Sequence, residues 1–264
     1  MSPGRWPAGR QSARQPAFEG SGSGSWLATP RGPVSSLKFT VDSGDVKGML
    51  QALAIAPAIE AKKGRLEADV TWPGGPDAEI LARISGEARI AMSDGRMLAL
   101  QPGAGRLLGL MSLSHIGKRL MLDFGDVTGE GTAFDSIKGG FTLASGEAFT
   151  DNLTLRGPAA EIGIAGRTSL RDRSYDQTAV LTGDLGASLG VAGALAGGPA
   201  VGAALLLFSQ IFKEPLKGVA RAYYRITGPW EDPVVKKIDS RELEEAAARM
   251  RPAPAGVAPA QGDR

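Results

Sequence analysis

The chain has 264 residues, 42% of them hydrophobic, a globular rather than disordered composition that suits one large domain or two small ones. Its 30 Lys and Arg residues nearly balance 28 Asp and Glu, for a net charge of +2, and no basic block is interleaved with aromatics, which argues against a nucleic-acid partner. The chain has no cysteine, which excludes disulfides, thiolate metal sites and a cysteine nucleophile.

Residues 1–34 begin MSPGRWPAGRQSARQPAFEGSGSGS, rich in Gly, Pro, Ser, Arg and Gln and lacking the apolar core of a secretory signal. They read as a disordered leader without export information, as expected of a fragment or a misplaced start codon. From residue 35 the dominant period is two. Leu37, Phe39 and Val41 alternate with Lys38, Thr40 and Asp42, the pattern of a strand with one wet face. Asp45 to Leu53 changes period: Val46, Met49, Leu50 and Leu53 share one helical face, with Ser43 or Asp45 as N-cap. Alternation returns in Leu66, Ala68, Val70 and Trp72, and again in Ala88, Ile90 and Met92. A second helix is expected over Gly103 to Leu113, grouping Leu107, Leu110 and Met111, before a further row of Leu120, Leu122 and Phe124.

The clearest block of strands follows. Its rows are Ile137, Phe141 and Leu143; Phe149, Leu153 and Leu155; Ile162, Ile164 and Leu170; and Tyr175, Ala179 and Leu181. The links Ser145-Gly146, Gly157-Pro158 and Asp172-Arg173 are short and turn-like, so sequential strands are antiparallel neighbours in a meander. Mainly β structure with a few helices is therefore expected over residues 35–184. The helices either fill the mouth of a curved sheet or pack on one of its faces.

Residues 185–218 contain the uncharged run LGASLGVAGALAGGPAVGAALLLFSQIF, broken by Gly197, Gly198 and Pro199. A spanning helix needs about 20 continuous apolar residues, and the break leaves arms of only about ten to fourteen. The run reads as a C-terminal apolar helical hairpin, either dipping into one membrane leaflet or capping an apolar protein surface. A last strand is expected within 219–239, with Ala222, Tyr224 and Ile226 on one side, and a flexible tail over 240–264.

No constellation argues for catalysis. His115, the one histidine, reads as a polar loop residue. Gly103, Gly105 and Gly109 lack the spacing of a dinucleotide fingerprint, and no Lys-Ser/Thr follows them as in a P-loop. Asp123, Asp126 and Glu130 lack the dense alternating pattern of a calcium loop. Neither enzyme activity, nor a metal, nor a cofactor is expected.

Specific words in the sequence add to this reading. In order, VTWPGGP (Val70 to Pro76), LQPGAGRLLGLMSL (Leu100 to Leu113), RLMLDFGDV (Arg119 to Val127), GTAFDSIKGGF (Gly131 to Phe141), TDNLTLRGPAAEIGIAGR (Thr150 to Arg167) and YRITGPWEDPVV (Tyr224 to Val235) closely resemble the C-terminal end of the YhdP branch of the AsmA-like proteins. The resemblance runs from about Ser35 to Ile238. It implies a curved antiparallel sheet forming an elongated, β-taco-like apolar groove that guides phospholipids between the inner and outer membranes of a diderm bacterium and supports the outer-membrane barrier. Roughly ten strands at about 4.8 Å would make only about 50 Å of groove, the far end of a bridge.

On that resemblance the groove lining is expected at Phe141, Leu143, Phe149, Leu153, Leu155, Ile162 and Ile164. Membrane contact, at the inner leaflet of the outer membrane, is expected from Leu205, Phe208, Ile211, Phe212, Lys213 and Lys217. The location would be the periplasmic side of the envelope, membrane-associated, with phospholipids and envelope proteins as partners. The rival reading is an envelope assembly or scaffold protein that binds other proteins through its sheet edge and apolar hairpin.

Overall fold

In a computed structural model the described residues are 10–15, 17–53, 59–75, 79–98, 132–158, 160–183, 220–239, 241–243 and 245. They form one sheet of eleven strands, antiparallel throughout, in which every strand pairs with its neighbours in sequence and the two edge strands do not meet. The strands are β1 (Arg10–Gln15), β2 (Phe18–Thr29), β3 (Gly32–Ser43), β4 (Ile59–Pro73), β5 (Ser85–Met97) and β6 (Thr132–Ala144), then β7 (Glu147–Arg156), β8 (Ala160–Ser169), β9 (Ser174–Gly183), β10 (Ala220–Pro229) and β11 (Val234–Ile238). Among the described residues two short helices interrupt the meander, α1 (Val46–Ala52) after β3 and α2 (Ile80–Arg83) after β4.

Period-two sequence gives this sheet because most strands place apolar residues on one face and polar residues on the other. The helix expected after β3 forms with Asp45 as its N-cap, the carboxylate accepting the Gly48 N–H at 2.9 Å. Connections alternate between the two ends of the strands. The hairpin turns after β2, β6, β8 and β10 lie at one end with α2, and main-chain bonds tie this end together: Gly146 N–H to Ile84 O (2.9 Å), Leu170 N–H to Gly146 O and Trp230 N–H to Arg173 O (both 2.8 Å). The Arg171 guanidinium adds hydrogen bonds to the carbonyls of Ser145 and Ala82. The connection carrying α1 leaves at the opposite end, as do those through residues 99–131 and 184–219.

Three expectations need correction. Residues 10–34, read as part of a disordered leader, form β1, β2 and the start of β3. The GSGSGS run that composition assigns to disorder is itself a period-two strand. Gly20, Gly22 and Gly24 pair with Val41, Phe39 and Leu37, and a Cβ at Gly22 would lie 3.0 Å from the Phe39 Cβ. The single strand expected over 219–239 is a hairpin, β10 and β11. Its turn begins at Gly228, whose φ of 92° lies in the left-handed region, and Trp230 packs 6.2 Å from the Tyr175 ring. The tail begins later than residue 240, because residues 241–243 form a helical turn that buries Leu243 against Ala165, Val180 and Ile238.

The expected helix at Gly103 to Leu113, the row at Leu120, Leu122 and Phe124, the acidic residues Asp123, Asp126 and Glu130, His115 and the 185–218 hairpin lie outside the described residues. So do Leu205, Phe208, Ile211, Phe212, Lys213 and Lys217, the expected membrane contacts.

Candidate functional site

Directly paired residues of adjacent antiparallel strands share a face, so the register traces each face across the sheet. One face runs through Leu37, Phe39 and Val41 on β3, Leu66, Ala68 and Val70 on β4, and Ala88, Ile90 and Met92 on β5. It continues through Ile137, Phe141 and Leu143 on β6, Leu153 and Leu155 on β7, and Ile162 and Ile164 on β8, to Ala179 and Leu181 on β9 and Ala222, Tyr224 and Ile226 on β10. None of these positions carries a charge.

The opposite face collects the ions. Lys38 meets Asp69 at 2.9 Å, Arg65 bridges Asp42 (3.1 Å) and Glu67 (2.7 Å), Arg167 meets Glu147 at 2.7 Å, and Arg225 pairs with Asp176. The hydrogen bond to Glu67 and the nearby Asp42 charge raise the Arg65 pKa above its ordinary value. Three shallow clefts of about 650, 640 and 410 Å³ are bordered mainly by charged, polar and small residues, including Lys63, Arg65 and Lys138. Of the apolar rows traced above, only Met92 borders the first of these clefts and Ile90 the third. Among the described residues no group of three His, Asp or Glu side chains could hold a metal ion.

The apolar face divides in two. From β7 to β10 it is core: Leu153, Leu155, Ile162, Ile164, Ala179, Leu181, Ala222, Tyr224 and Ile226 are all buried. From β3 to β6 Val70 and Ile137 are buried as well, but Phe39, Val41, Leu66, Ala68, Ala88, Ile90, Met92, Phe141 and Leu143 remain half-exposed. This open part is walled at both strand ends. On one side α1 lays Val46 and Leu50 against Ile59, Ala61, Met97 and Phe134, and a Cβ at Gly64 would meet the Val46 side chain at 2.5 Å. On the other side Ile80 and Ile84 pack with Val70, Trp72 and Leu143. The eight residue steps from Gly64 to Trp72 give a floor of roughly 26 Å between the walls. The arrangement is a trough that runs across the strands, its half-exposed apolar floor flanked by two short helices.

Two local shifts decide which residues face the trough. On β4 the inward set passes from Ile59 and Ala61 to Gly64, Leu66, Ala68, Val70 and Trp72 across the exposed pair Lys62 and Lys63, beside Asp94 of β5 with its φ of 56°. On β7 an extra residue is accommodated between Thr150 and Leu153, opposite Gly166 and Ile164 of β8. The inward positions therefore change from Ala148 and Thr150 to Leu153 and Leu155.

The seven expected lining residues consequently separate. Phe141 and Leu143 lie on the half-exposed part of the apolar face, whereas Leu153, Leu155, Ile162 and Ile164 lie on the same face but inside the core. Phe149 does not belong to the row. It pairs with Thr142 and Arg167 on the charged face and is 44% exposed, because the bulge reverses the side on which odd-numbered residues fall. The signal for the bulge is the polar triplet Thr150, Asp151 and Asn152: the Asn152 side chain accepts the Gly140 N–H at 2.7 Å in place of a ladder bond. Sequence reasoning missed α2, which nothing in the pattern marked, and left Leu66, Ile90 and Met92 out of the lining although it had read their rows.

Among the described residues no helix is long and apolar enough to cross a membrane. A family model described as YhdP protein matches residues 7–235. The chain is similar to the intermembrane phospholipid transporter YhdP of Escherichia coli (strain K12), 28% identical over 225 residues that cover 85% of this chain and 18% of the relative. It thus spans less than a fifth of that relative's length. No solved structure matches.

Proposed function

This chain belongs to the YhdP family, and we propose that it is part of an envelope protein that conducts phospholipids between the inner and outer membranes, its open apolar face forming a stretch of groove wall. The observation that carries the reading is the uncharged face left half-exposed from β3 to β6 while the same face is closed from β7 to β10. The named activity of the similar transporter supports it. A lipid tail exposed to water costs about 0.8 kcal/mol per CH₂, so an uninterrupted apolar floor lowers the barrier to moving it, with no bond made or broken. The contacts are Phe39, Val41, Leu66, Ile90, Met92, Phe141 and Leu143. Leu153, Leu155, Ile162 and Ile164 serve as the core on which that floor is built.

The wider reading keeps the protein on the periplasmic side of the envelope, associated with a membrane surface and supporting the outer-membrane barrier. The apolar run of residues 185–218 is its membrane-contacting segment, through Leu205, Phe208, Ile211 and Phe212, with Lys213 and Lys217 meeting phosphates. The test is native mass spectrometry and lipid extraction of the full chain purified from a diderm host, beside a Leu66→Gln/Ile90→Gln variant whose fold is verified by circular dichroism. Phospholipid bound to the wild type and lost from the folded variant is the expected result. A wild-type chain that carries no phospholipid, or a variant that carries as much, would overturn the proposal.

A further inference from the structure

Large exposed apolar side chains are concentrated in one place. Of the eight among the described residues, four belong to the β2–β3 hairpin: Trp26 (38% exposed), Leu27 (49%), Val34 (37%) and Leu37 (37%). They occupy both of its faces. Leu27 and Val34 are a direct cross-strand pair on the face that elsewhere carries ions, whereas Trp26 (opposite Ser35) and Leu37 (opposite Gly24) lie on the apolar face. A strand that lends one face to a core has no need of apolar residues on the other, and a protein groove laid against this ribbon would dry only one of its sides. A lipid interface surrounds a tip and dries both.

The charge of the hairpin points the same way. Between Gly20 and Val41 there is no carboxylate, and the two cations are Arg31 and Lys38. Lys38 is held by Asp69 at 2.9 Å. Arg31 stands exposed in the turn itself, a guanidinium beside two apolar faces and next to the proline that tightens the turn. Tryptophan prefers the headgroup level of a bilayer, and arginine binds phosphate oxygens. We propose that the tip of the β2–β3 hairpin inserts into the headgroup and upper acyl region of an anionic phospholipid surface, Trp26, Leu27 and Val34 entering and Arg31 meeting phosphate. The inference rests on the hairpin alone and not on the transport reading. It also names a contact separate from residues 185–218, whose connection leaves from the other end of the strands.

The absence of cysteine allows a direct test on the full chain. Leu27→Cys carries an environment-sensitive fluorophore at the tip, and Leu53→Cys, at an exposed position beyond α1, carries the same probe at the opposite end. Each is mixed with vesicles of phosphatidylethanolamine and phosphatidylglycerol, some bearing a lipid-attached quencher. The emission at position 27 should shift to the blue, rise severalfold and be quenched from within the bilayer, while that at position 53 stays aqueous. In unlabelled protein Arg31→Glu should weaken vesicle partitioning by at least about fivefold, since one basic residue near an anionic surface is worth about 1 kcal/mol. A chain that binds vesicles with position 27 still aqueous overturns the proposal, as does a chain that does not bind. A blue shift that needs only higher protein concentration overturns it in favour of a second copy of the chain.

Discussion

Gly139 and Gly140 are neighbours in the sequence KGGF, and nothing in that sequence distinguishes them. The register does. Gly139 pairs with Ile90 on the apolar face, and a Cβ there would meet Leu153 at 2.9 Å (Cδ1), 3.0 Å (Cα) and 3.1 Å (Cβ). Gly140 pairs with Arg89 on the charged face, where a Cβ would meet only the Asn152 amide at 3.5 Å, an ordinary contact. Leu153 is 3% exposed and its Cα cannot step aside without moving the bulge, so Gly139→Ala overpacks the sheet and should cost about 1–3 kcal/mol. Gly140→Ala, freed of a strand glycine's conformational entropy, should be neutral or gain up to about 1 kcal/mol. Urea unfolding reads both, with equal m-values required for the comparison. For a chain of this size the difference should appear as roughly 2–4 °C in Tm per kcal/mol. Equal effects, or a larger loss at Gly140, would refute the register at β6–β7, and the assignment of faces on which the trough depends would fail with it.

Leu181 is fully buried and Leu66 half-exposed on the same apolar face. Leu181→Ala should therefore cost about 2–5 kcal/mol, whereas Leu66→Ala should cost about 1 kcal/mol and act chiefly on bound lipid, both read by denaturant unfolding beside lipid extraction. The turn at residues 241–243 has a pH signature. A hydrogen bond from Lys236 and one from the Asp239 N–H hold the Glu242 carboxyl below its ordinary value. A depressed carboxyl stabilises the fold fully above its unfolded pKa of about 4.3 and loses that contribution as pH falls through the lower folded value. Because the pair is exposed the effect is small and salt-sensitive. The protection factor of the Leu243 amide, its exchange relative to the intrinsic rate at each pH, should fall as the pH drops below about 4, and Glu242→Gln should remove that dependence.

The alternation was legible because most strands of this sheet present one face to water, and a residue's side then follows from its parity. The rows at β3 to β6 and at β8 to β10 fall on one face as read. What was not legible is every place where parity breaks. Phe149 continues the odd-numbered row of Leu153 and Leu155 in sequence, yet one extra residue in β7 turns it to the charged face. Composition misled at β2, where Gly and Ser resemble a linker although the glycines lie against Leu37, Phe39 and Val41. Burial was illegible altogether, since alternation defines two faces and does not say what covers either. At Ala165, Thr178, Val180 and Thr182 both faces are dry, and no period marks that.

The division of the apolar face is the strongest reason to look for a ligand. A structural core excludes water wherever it can, and from β7 to β10 this one does. If β3 to β6 were only more of the same core, α1 and α2 would be expected to lie across the floor rather than at its two margins, where each buries a few side chains and leaves Leu66, Ile90, Met92 and Phe141 half-wet between them. Contiguous exposed apolar surface is kept small in soluble proteins unless something binds it. An occupant held by this floor would meet no hydrogen-bonding groups from charged side chains, because every ion pair traced on these strands lies on the reverse face. That argues against recognition by charged side chains on the floor and favours an occupant held by apolar contact along its length. The acyl chain proposed above meets that condition.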